Sequence, residues 1–324
     1  MSSSLQFNSW PVRALNRSAS MSKIRTLGHV LWLKARLRSR SKRHFYFLST
    51  GRVGTLFFSR ALDLATNGQV YHQPKPKLLD EMSRVVETFV ASEDRFRALR
   101  VEQFPHLERQ ILRQRSLAGD VYGDTLNTMF PFGLMLHDYL GPERLRLVHL
   151  IRDPRSCGRS ILKAERDDFG YGRFHIFRPP AFLKGLEGAK AADKAAAIWN
   201  NINGMIKRQF ELIDDQRVCK TIRLEDLDLE MLREVYDFLE LDGFDADALK
   251  ALMEDRSQSV RHSHVAGQDL DGGETDYRRK LALEHNPDAT PAELDRIERL
   301  CAPLAAHFGY GASSAIRPAG RGQV

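Results

Sequence analysis

The 324-residue sequence predicts an α/β protein with a central parallel sheet flanked by helices. Short apolar runs of strand length alternate with longer segments of helical periodicity, a pattern typical of βαβ units. Neither an internal repeat nor a Pro- or Gly-rich linker divides this alternating body. We therefore expect one α/β domain over 44–312, with a basic, partly helical extension over 1–43 before it and a flexible tail over 313–324 after it.

The predicted strands are runs of four to eight residues with apolar or aromatic side chains. Near-continuous apolar runs indicate strands that are buried on both faces, as in parallel sheets covered by helices. The clearest of them, RLRLVHLI, leads directly into a helix that begins at Pro154. The five strands are expected at 44–49, 69–72, 120–123, 144–151 and 217–224.

Segments with helical periodicity separate the strands. They are expected at 55–65, at 77–117, from Pro154 onward, and at 189–213, 229–241 and 291–308. A basic amphipathic helix is expected over 21–43, where apolar residues recur among arginines and lysines. The Gly-rich stretch over 257–275 predicts the longest loop of the body.

Positive charge is concentrated at the amino-terminal end. Residues 1–62 hold twelve Lys and Arg but no Asp or Glu, which leaves 37 basic against 42 acidic residues in the rest of the chain. A nucleic-acid-binding protein would spread basic residues over its folded surface, so no specific nucleic-acid partner is expected. Two alternatives stand for the basic extension: packing on the domain edge, or peripheral contact with an anionic membrane or an acidic acceptor.

Cysteine spacing and hydropathy set the expected compartment. No apolar run approaches the roughly 20 residues that cross a bilayer, and the run at 28–33 is too short for the core of a secretory signal. The three cysteines are scattered without CxxC spacing, which predicts reduced thiols and no metal site. We expect a cytoplasmic protein, with peripheral membrane contact as one use of its basic extension.

The segment STGRVGT over 49–55 lies between a predicted strand and a predicted helix, where α/β sheets bind anions. Gly51 and Gly54 allow a tight turn whose amides, with the positive end of the next helix, can hold a phosphate; Arg52 adds a cation. An ordinary glycine turn is the alternative. The P-loop of ATP- and GTP-binding proteins has four residues between its glycines and then Gly-Lys-Ser/Thr, whereas here two residues separate the glycines and no lysine follows.

A second anion motif, IRDPRSCGRS over 151–160, also follows a predicted strand. Asp153 is placed to cap a helix whose first residue is Pro154, where a missing N–H costs nothing. Arg152 should project from the strand end, and Ser156 and Ser160 share one face of the helix because they are four residues apart. Two anion sites without a P-loop lysine favour a nucleotide that carries phosphates at two positions.

Together the two motifs resemble the sulfotransferase superfamily that uses 3′-phosphoadenosine 5′-phosphosulfate (PAPS). In that family a strand-loop-helix with Lys or Arg before Gly-Ser/Thr binds the 5′-phosphosulfate, and Arg52 takes the basic position here. An Arg and a Ser eight residues apart bind the 3′-phosphate, a spacing that Arg152 and Ser160 reproduce. Weaker similarities are a Trp-Asn pair, RLEDL and a segment ending in Gly-Tyr, at 199–200, 223–227 and 304–311.

The resemblance implies a P-loop NTPase-like sulfotransferase architecture and in-line transfer of a sulfonate from PAPS to a hydroxyl of a glycan, lipid or small metabolite, without a metal. It implies donor contacts from Thr50, Gly51, Arg52, Val53, Gly54, Thr55, Leu56, Arg152, Ser160 and, in a late basic loop, Arg261. Two positions depart from the family pattern. Leu224 replaces a Tyr that touches adenine in cytosolic members, and GDTLNT over 123–128 lacks the Lys of many carbohydrate-acting members.

Catalysis requires charge stabilisation on the bridging oxygen and a base for the acceptor proton. Arg52, helped by loop amides, is expected to provide the first. His72 is the preferred base because it ends the second predicted strand and should open onto the same sheet edge; a surface or capping histidine is the alternative, and Asp124 is the second candidate base. Glu225 and Asp226 are expected to cap the helix after their strand. A nucleotide-dependent kinase and a non-catalytic nucleotide-binding protein remain as alternative functions.

Overall fold

In the computed structural model the described residues are 42–72, 78–115, 117, 119–165, 179–254 and 288–311. Within them, five parallel strands form one sheet in the order β2-β3-β1-β4-β5. The strands are β1 (Arg43–Leu48), β2 (Gly68–Tyr71), β3 (Val121–Asp124), β4 (Leu145–Ile151) and β5 (Cys219–Arg223). The predicted α/β fold with a parallel sheet is confirmed, and no strand end lies more than two residues from its predicted position.

Helices and short 3₁₀ turns connect the strands. The helices are α1 (Thr55–Leu62), α2 (Leu79–Ala91), α3 (Glu93–Arg97), α4 (Pro105–Gln114), α5 (Gly133–Leu140), α6 (Pro154–Glu165), α7 (Ala191–Ile213), α8 (Leu229–Leu239), α9 (Ala246–Glu254) and α10 (Pro291–His307). The 3₁₀ turns are Val101–Gln103, Asn127–Phe132, Pro180–Leu183 and Leu224–Asp226.

Two helix predictions need correction. The single helical region expected over 77–117 is instead α2, α3, a 3₁₀ turn and α4. Ser92 breaks it because its backbone is extended and its hydroxyl accepts the N–H of Arg95 at 3.4 Å, which starts α3. Helices α5 and α9 have no predicted counterpart, because eight or nine residues hold only about two helical turns of periodicity.

Burial on both faces explains why β1 and β4 are apolar without alternation. Every residue of β1 after Arg43 is buried, as is every residue of β4 except Arg146. On one face Phe58 of α1 packs against Phe47, with ring centroids 5.2 Å apart. On the other face, α7 contributes a buried side chain to the end of β4 and lies beside α6 and α10. The sheet is therefore enclosed on both sides.

The strand order places β1 where the chain reverses direction across the sheet. From β1 the chain runs to β2 and back to β3 on one side, and then crosses to β4 and β5 on the other. Leu48 pairs with His149, so the carboxyl ends of β1 and β4 lie side by side. Open α/β sheets bind ligands in the crevice at such a switch point.

The terminal segments are outside this description. Residues 1–41 and 312–324, which make up nearly all of the predicted extension and tail, are not among the described residues, and neither is the predicted loop over 257–275. Across the described ranges, no helix combines the length and the hydropathy that crossing a bilayer requires.

A buried polar layer lies between the sheet and α4. The Tyr46 hydroxyl donates to Oε1 of Gln114 at 2.8 Å, and Nε2 of Gln110 donates to the Asp124 carboxylate at 3.4 Å. The other carboxylate oxygen of Asp124 accepts the N–H of Leu126 at 2.8 Å. Because the Asp124 side chain is fully buried, desolvation raises the pKa of its carboxyl from 3.8 to about 7.

We predict that Asp124→Asn changes the pH dependence of stability. The folded state binds the Asp124 proton more tightly than the unfolded state, so this carboxyl lowers the free energy of unfolding as pH rises from about 4 to about 7. Asparagine does not titrate. The variant should therefore gain stability relative to the wild type over this interval, by at most about 4 kcal/mol at 1.36 kcal/mol per pKa unit.

Urea unfolding of both proteins from about pH 4 to about pH 8 measures this difference. Asparagine keeps an acceptor for the Leu126 N–H, and Gln110 can turn its amide to accept from the new NH₂ group. Parallel stability curves for the two proteins would show that Asp124 is ionised in the folded state.

Candidate functional site

The candidate site lies at the carboxyl edge of the sheet, where the segments that follow β1, β4 and β5 meet. These segments are 49–54, 152–153 and 224–226, and their strands are adjacent in the sheet. Helices α1 and α6 both begin at this edge, so the positive ends of two helix dipoles lie here. Helix ends of this polarity favour negative charge.

The loop over 49–54 has an unusual backbone. Gly51, Arg52 and Gly54 all have positive φ angles, of 73°, 61° and 86°. Ser49 and Thr50 are fully buried, and the Ser49 hydroxyl accepts the N–H of Gly51 at 3.2 Å. Left-handed backbone at a non-glycine residue such as Arg52 is strained, and it occurs at ligand-binding sites as well as in turns and helix caps, where Leu78, Asp214 and Glu240 have it. Turns of this kind direct successive N–H groups into one concave anion site.

The start of α1 completes this anion site. Gly54 is its N-cap residue, no side chain caps it, and its first turn holds no acidic residue. The first N–H groups of a helix have no acceptor within the helix, so they are available to a phosphate. The predicted donor contacts Thr50 to Leu56 form one continuous segment, the backbone cradle, that runs from the loop into the first turn of α1.

Arg152 joins the second predicted motif to the first. Its Nη1 donates to the backbone carbonyl of Arg52 at 3.1 Å. Its own carbonyl accepts the indole N–H of the fully buried Trp199 at 2.9 Å. A guanidinium has five N–H donors, and one of them makes the bond to the loop. The Arg152 side chain is thereby held beside the loop that Arg52 belongs to.

The start of α6 follows the expected capping pattern. The Asp153 carboxylate accepts the N–H of Ser156 at 2.8 Å, and its carbonyl accepts the N–H of Cys157 at 2.8 Å. The Cys157 thiol is buried 3.5 Å from the Thr50 hydroxyl, which ties the base of α6 to the loop after β1. Ser160 is half-buried on the same helix.

The segment after β5 contacts both motifs. A Cβ atom built on Gly54 would lie 2.9 Å from Cδ1 of Leu224, so the Leu224 side chain lies directly against the loop. The next residue, Glu225, accepts the backbone N–H of Asp153 at 2.9 Å through one carboxylate oxygen. Its other oxygen accepts the Tyr310 hydroxyl at 2.7 Å.

The expectation that Glu225 and Asp226 cap the following helix is wrong. Asp228 caps α8 instead, by accepting the N–H of Met231 at 2.7 Å. Asp226 forms a two-point ion pair with Arg223, with both N···O distances at 2.7 Å. The 3₁₀ turn over Leu224–Asp226 moves the helix start further along the chain, which frees Glu225 to reach Asp153.

His72 lies immediately after β2, at the same edge of the sheet. Its Nδ1 is 3.0 Å from the hydroxyl oxygen of Thr125, and that hydroxyl is 3.4 Å from the Tyr71 carbonyl. If the hydroxyl donates its proton to the carbonyl, its oxygen must accept from Nδ1–H. In a neutral imidazole this arrangement selects the tautomer with the lone pair on Nε2, which is the form that a general base requires.

Asp124, the other candidate base, is enclosed. Both of its carboxylate oxygens face interior donors and its side chain is fully buried. Of the two candidates, His72 is half-buried, whereas Asp124 is fully buried.

One predicted donor contact, Arg261 in the expected late basic loop, lies outside the described residues. Among the residues that are described, no group of three or more His, Cys, Asp and Glu side chains could hold a metal ion.

The structure adds to the site four residues that carry no site prediction: Thr125, Trp199, Glu225 and Tyr310. Trp199, Glu225 and Tyr310 lie within the weakly similar segments, but each bonds to a residue far away in the chain: Arg152, Asp153 and Glu225, respectively. Thr125 could have been found from its position directly after a strand that ends at the same edge. The other three give no local signal.

The chain was compared with family models, curated proteins and solved structures. No family model matches it, and no curated protein matches it. Among solved structures it is similar to the sulfotransferase domain from the curacin biosynthetic pathway, with 16% sequence identity and a TM-score of 0.43. That match covers 82% of this chain and 99% of the other. A likeness at this level supports no conclusion about function.

We predict that Gly54→Ala destabilises the protein more than Gly185→Ala. Both glycines have positive φ, of 86° and 83°, so both substitutions introduce backbone strain of about 1–2 kcal/mol. Only at Gly54 does the new methyl group also meet a side chain, Leu224, at 2.9 Å, whereas nothing lies within 4 Å at Gly185. Overpacking of this kind costs about 1–3 kcal/mol more.

Urea unfolding of the two variants measures the difference. The double variant Gly54→Ala with Leu224→Ala should cancel the excess, because the leucine methyl group is absent. Equal losses at Gly54 and Gly185 would show that Leu224 does not lie against the loop.

Proposed function

We propose that the protein is a PAPS-dependent sulfotransferase that moves a sulfonate group to an acceptor hydroxyl. The observation that carries the proposal is the 3.1 Å hydrogen bond between Arg152 and the Arg52 carbonyl. It fastens two anion-binding elements, each at the end of a separate strand, side by side. Such a pair suits one ligand with two separated phosphate groups better than a linear triphosphate, which would lie along one loop.

Each element has a role in donor binding under this proposal. The backbone cradle over 50–56 and the positive end of α1 hold the 5′-phosphosulfate. Arg152 and Ser160 hold the 3′-phosphate, since a guanidinium makes strong, directional bonds to phosphate oxygens. Leu224 offers the nucleotide an apolar side chain where family members have an aromatic one.

The transfer proceeds in line. The acceptor oxygen forms a bond to sulfur as the bond from sulfur to the bridging oxygen breaks, and 3′-phosphoadenosine 5′-phosphate leaves. Arg52 and the loop amides stabilise the negative charge on that bridging oxygen. His72 Nε2 takes the acceptor proton, while Thr125 holds Nδ1 in place.

A nucleotide-dependent kinase is less well supported. The helix after the loop begins with Thr55 and Leu56, so the lysine that contacts the terminal phosphates in P-loop kinases has no counterpart there. A non-catalytic nucleotide-binding protein would share the donor site but would show no turnover.

We predict that 3′-phosphoadenosine 5′-phosphate raises the Tm of the protein far more than ATP with Mg²⁺ does. A ligand that binds only the folded state stabilises it by about 2.7 kcal/mol at 100 times its Kd. Thermal unfolding at equal ligand concentrations measures the two shifts. Equal shifts would contradict the choice of a doubly phosphorylated nucleotide.

The control for this experiment is Arg152→Ala. This variant should weaken the binding of 3′-phosphoadenosine 5′-phosphate by about 1.5–3 kcal/mol, the scale of a hydrogen bond to a charged group. The binding of adenosine 5′-phosphosulfate should be nearly unaffected. Equal weakening of both ligands would assign Arg152 to the fold instead of the 3′-phosphate.

We predict that His72→Ala and His72→Asn each lower kcat by roughly 10²–10⁴-fold, the range for loss of a general base. Donor affinity should be nearly unchanged, because His72 lies at β2 and the donor cradle at β1. The assay incubates labelled PAPS with a panel of glycan, lipid and small-metabolite hydroxyls and measures the release of 3′-phosphoadenosine 5′-phosphate. Near-normal turnover in either variant would move the base to another residue, and donor binding without turnover in the wild type would favour the non-catalytic alternative.

A further inference from the structure

The peptide group between Arg152 and Asp153 is held at both of its polar atoms. Its carbonyl accepts the indole N–H of Trp199 at 2.9 Å, and its N–H donates to the Glu225 carboxylate at 2.9 Å. A peptide that is bonded on both sides cannot rotate about its neighbouring dihedrals without breaking a hydrogen bond. The direction in which the Arg152 side chain leaves the backbone is therefore set by Trp199 and Glu225.

Glu225 itself is exposed, yet its carboxylate is fixed from the other side. Tyr310, of which only 6% is exposed, donates its hydroxyl to Glu225 at 2.7 Å. Burial and the neighbouring Glu225 charge hold the pKa of Tyr310 above its ordinary value, so the hydroxyl keeps the proton that it donates.

Tyr310 is anchored in turn by the end of α10. Nη1 of Arg223 donates to the Gly309 carbonyl at 3.2 Å, and its guanidinium lies 5.5 Å from the centre of the Tyr310 ring. Helix α10 is fastened to α6 by the Arg155–Glu298 ion pair at 3.0 Å and to α7 by a hydrogen bond from Asn200 to the Leu300 carbonyl at 2.9 Å. The C-terminal helix thus supports the strand end that carries Arg152.

We propose that Glu225, held by Tyr310, is a positioning residue that sets Arg152 at the distance from the loop over 49–54 at which one nucleotide can engage both. This inference rests on the proposed function. Leu224 strengthens it, because it packs on Gly54 while Glu225 binds Asp153, so two consecutive residues join the two anion elements. Glu225 makes no contact with the nucleotide; it confers preference for phosphates at two positions.

The test measures, by calorimetry, the Kd of 3′-phosphoadenosine 5′-phosphate and of adenosine 5′-phosphosulfate for the full chain and its variants. Glu225→Ala should raise the Kd of the first ligand about tenfold, which corresponds to about 1.4 kcal/mol of binding free energy. It should raise the Kd of the second ligand by less than about twofold. Glu225→Gln should keep most of the wild-type affinity for the first ligand, because its amide oxygen can accept from Asp153 and its NH₂ group can donate to Tyr310. Tyr310→Phe, which removes one hydroxyl and keeps the ring, should reproduce part of the loss.

Glu234→Ala is the matched control. Glu234 is an exposed carboxylate on α8 that pairs with Lys220 of β5 at 3.0 Å, and among the described residues it has no hydrogen bond or ion pair to either anion element. It should change neither Kd. Equal weakening of the two ligands in Glu225→Ala and Tyr310→Phe, or unchanged binding of both, would overturn the positioning role. A wild-type protein that binds neither ligand would overturn the proposed function itself, which is a distinguishable result.

Discussion

The position of β1 between β3 and β4 is the constraint on which the rest of the site depends. It makes the chain cross the sheet in two directions, and it brings the carboxyl ends of β1 and β4 together through the pairing of Leu48 with His149. Two helices then start at adjacent strand ends with their positive poles at one edge. A loop of positive-φ residues and an arginine from the end of another strand are in contact only because the strand order places them next to each other.

A second level of structure holds this edge in shape. Buried side chains fix the backbone from below: Trp199 binds the end of β4, and Cys157 contacts the loop after β1. From the side, the exposed Glu225 carboxylate binds the Asp153 N–H and is itself held by the hydroxyl of buried Tyr310. Hydrogen bonds from Arg152 to the Arg52 carbonyl and from the Gly51 N–H to Ser49 hold the loop in its strained conformation, since strained backbone persists where the surrounding structure fixes it.

The predictable parts of the molecule are those with a local signal. The apolar runs of β1 and β4 indicate buried parallel strands, and Asp153 followed by Pro154 indicates the start of α6, as the structure shows. The break at Ser92 has only a weak signal, because a serine in a polar helical region can lie on its surface or cap a new helix. The position of Glu225 directly after β5 predicts a cap for the next helix. The 3₁₀ turn that follows β5 moves the helix start further along the chain, and Asp228 is the N-cap residue.

By itself, the sequence determined the α/β class, the positions of the strands and the helix start at Asp153 and Pro154, because periodicity, glycine spacing and capping residues act between neighbours in the chain. Only the tertiary structure decided that Arg152 bonds to the Arg52 carbonyl, that Glu225 binds the Asp153 amide, and that Tyr310 holds Glu225. These partners are 100, 72 and 85 residues apart. A hydrogen bond between residues so distant in the chain depends on how the strands are ordered and how the helices pack, and no short segment of sequence carries that information.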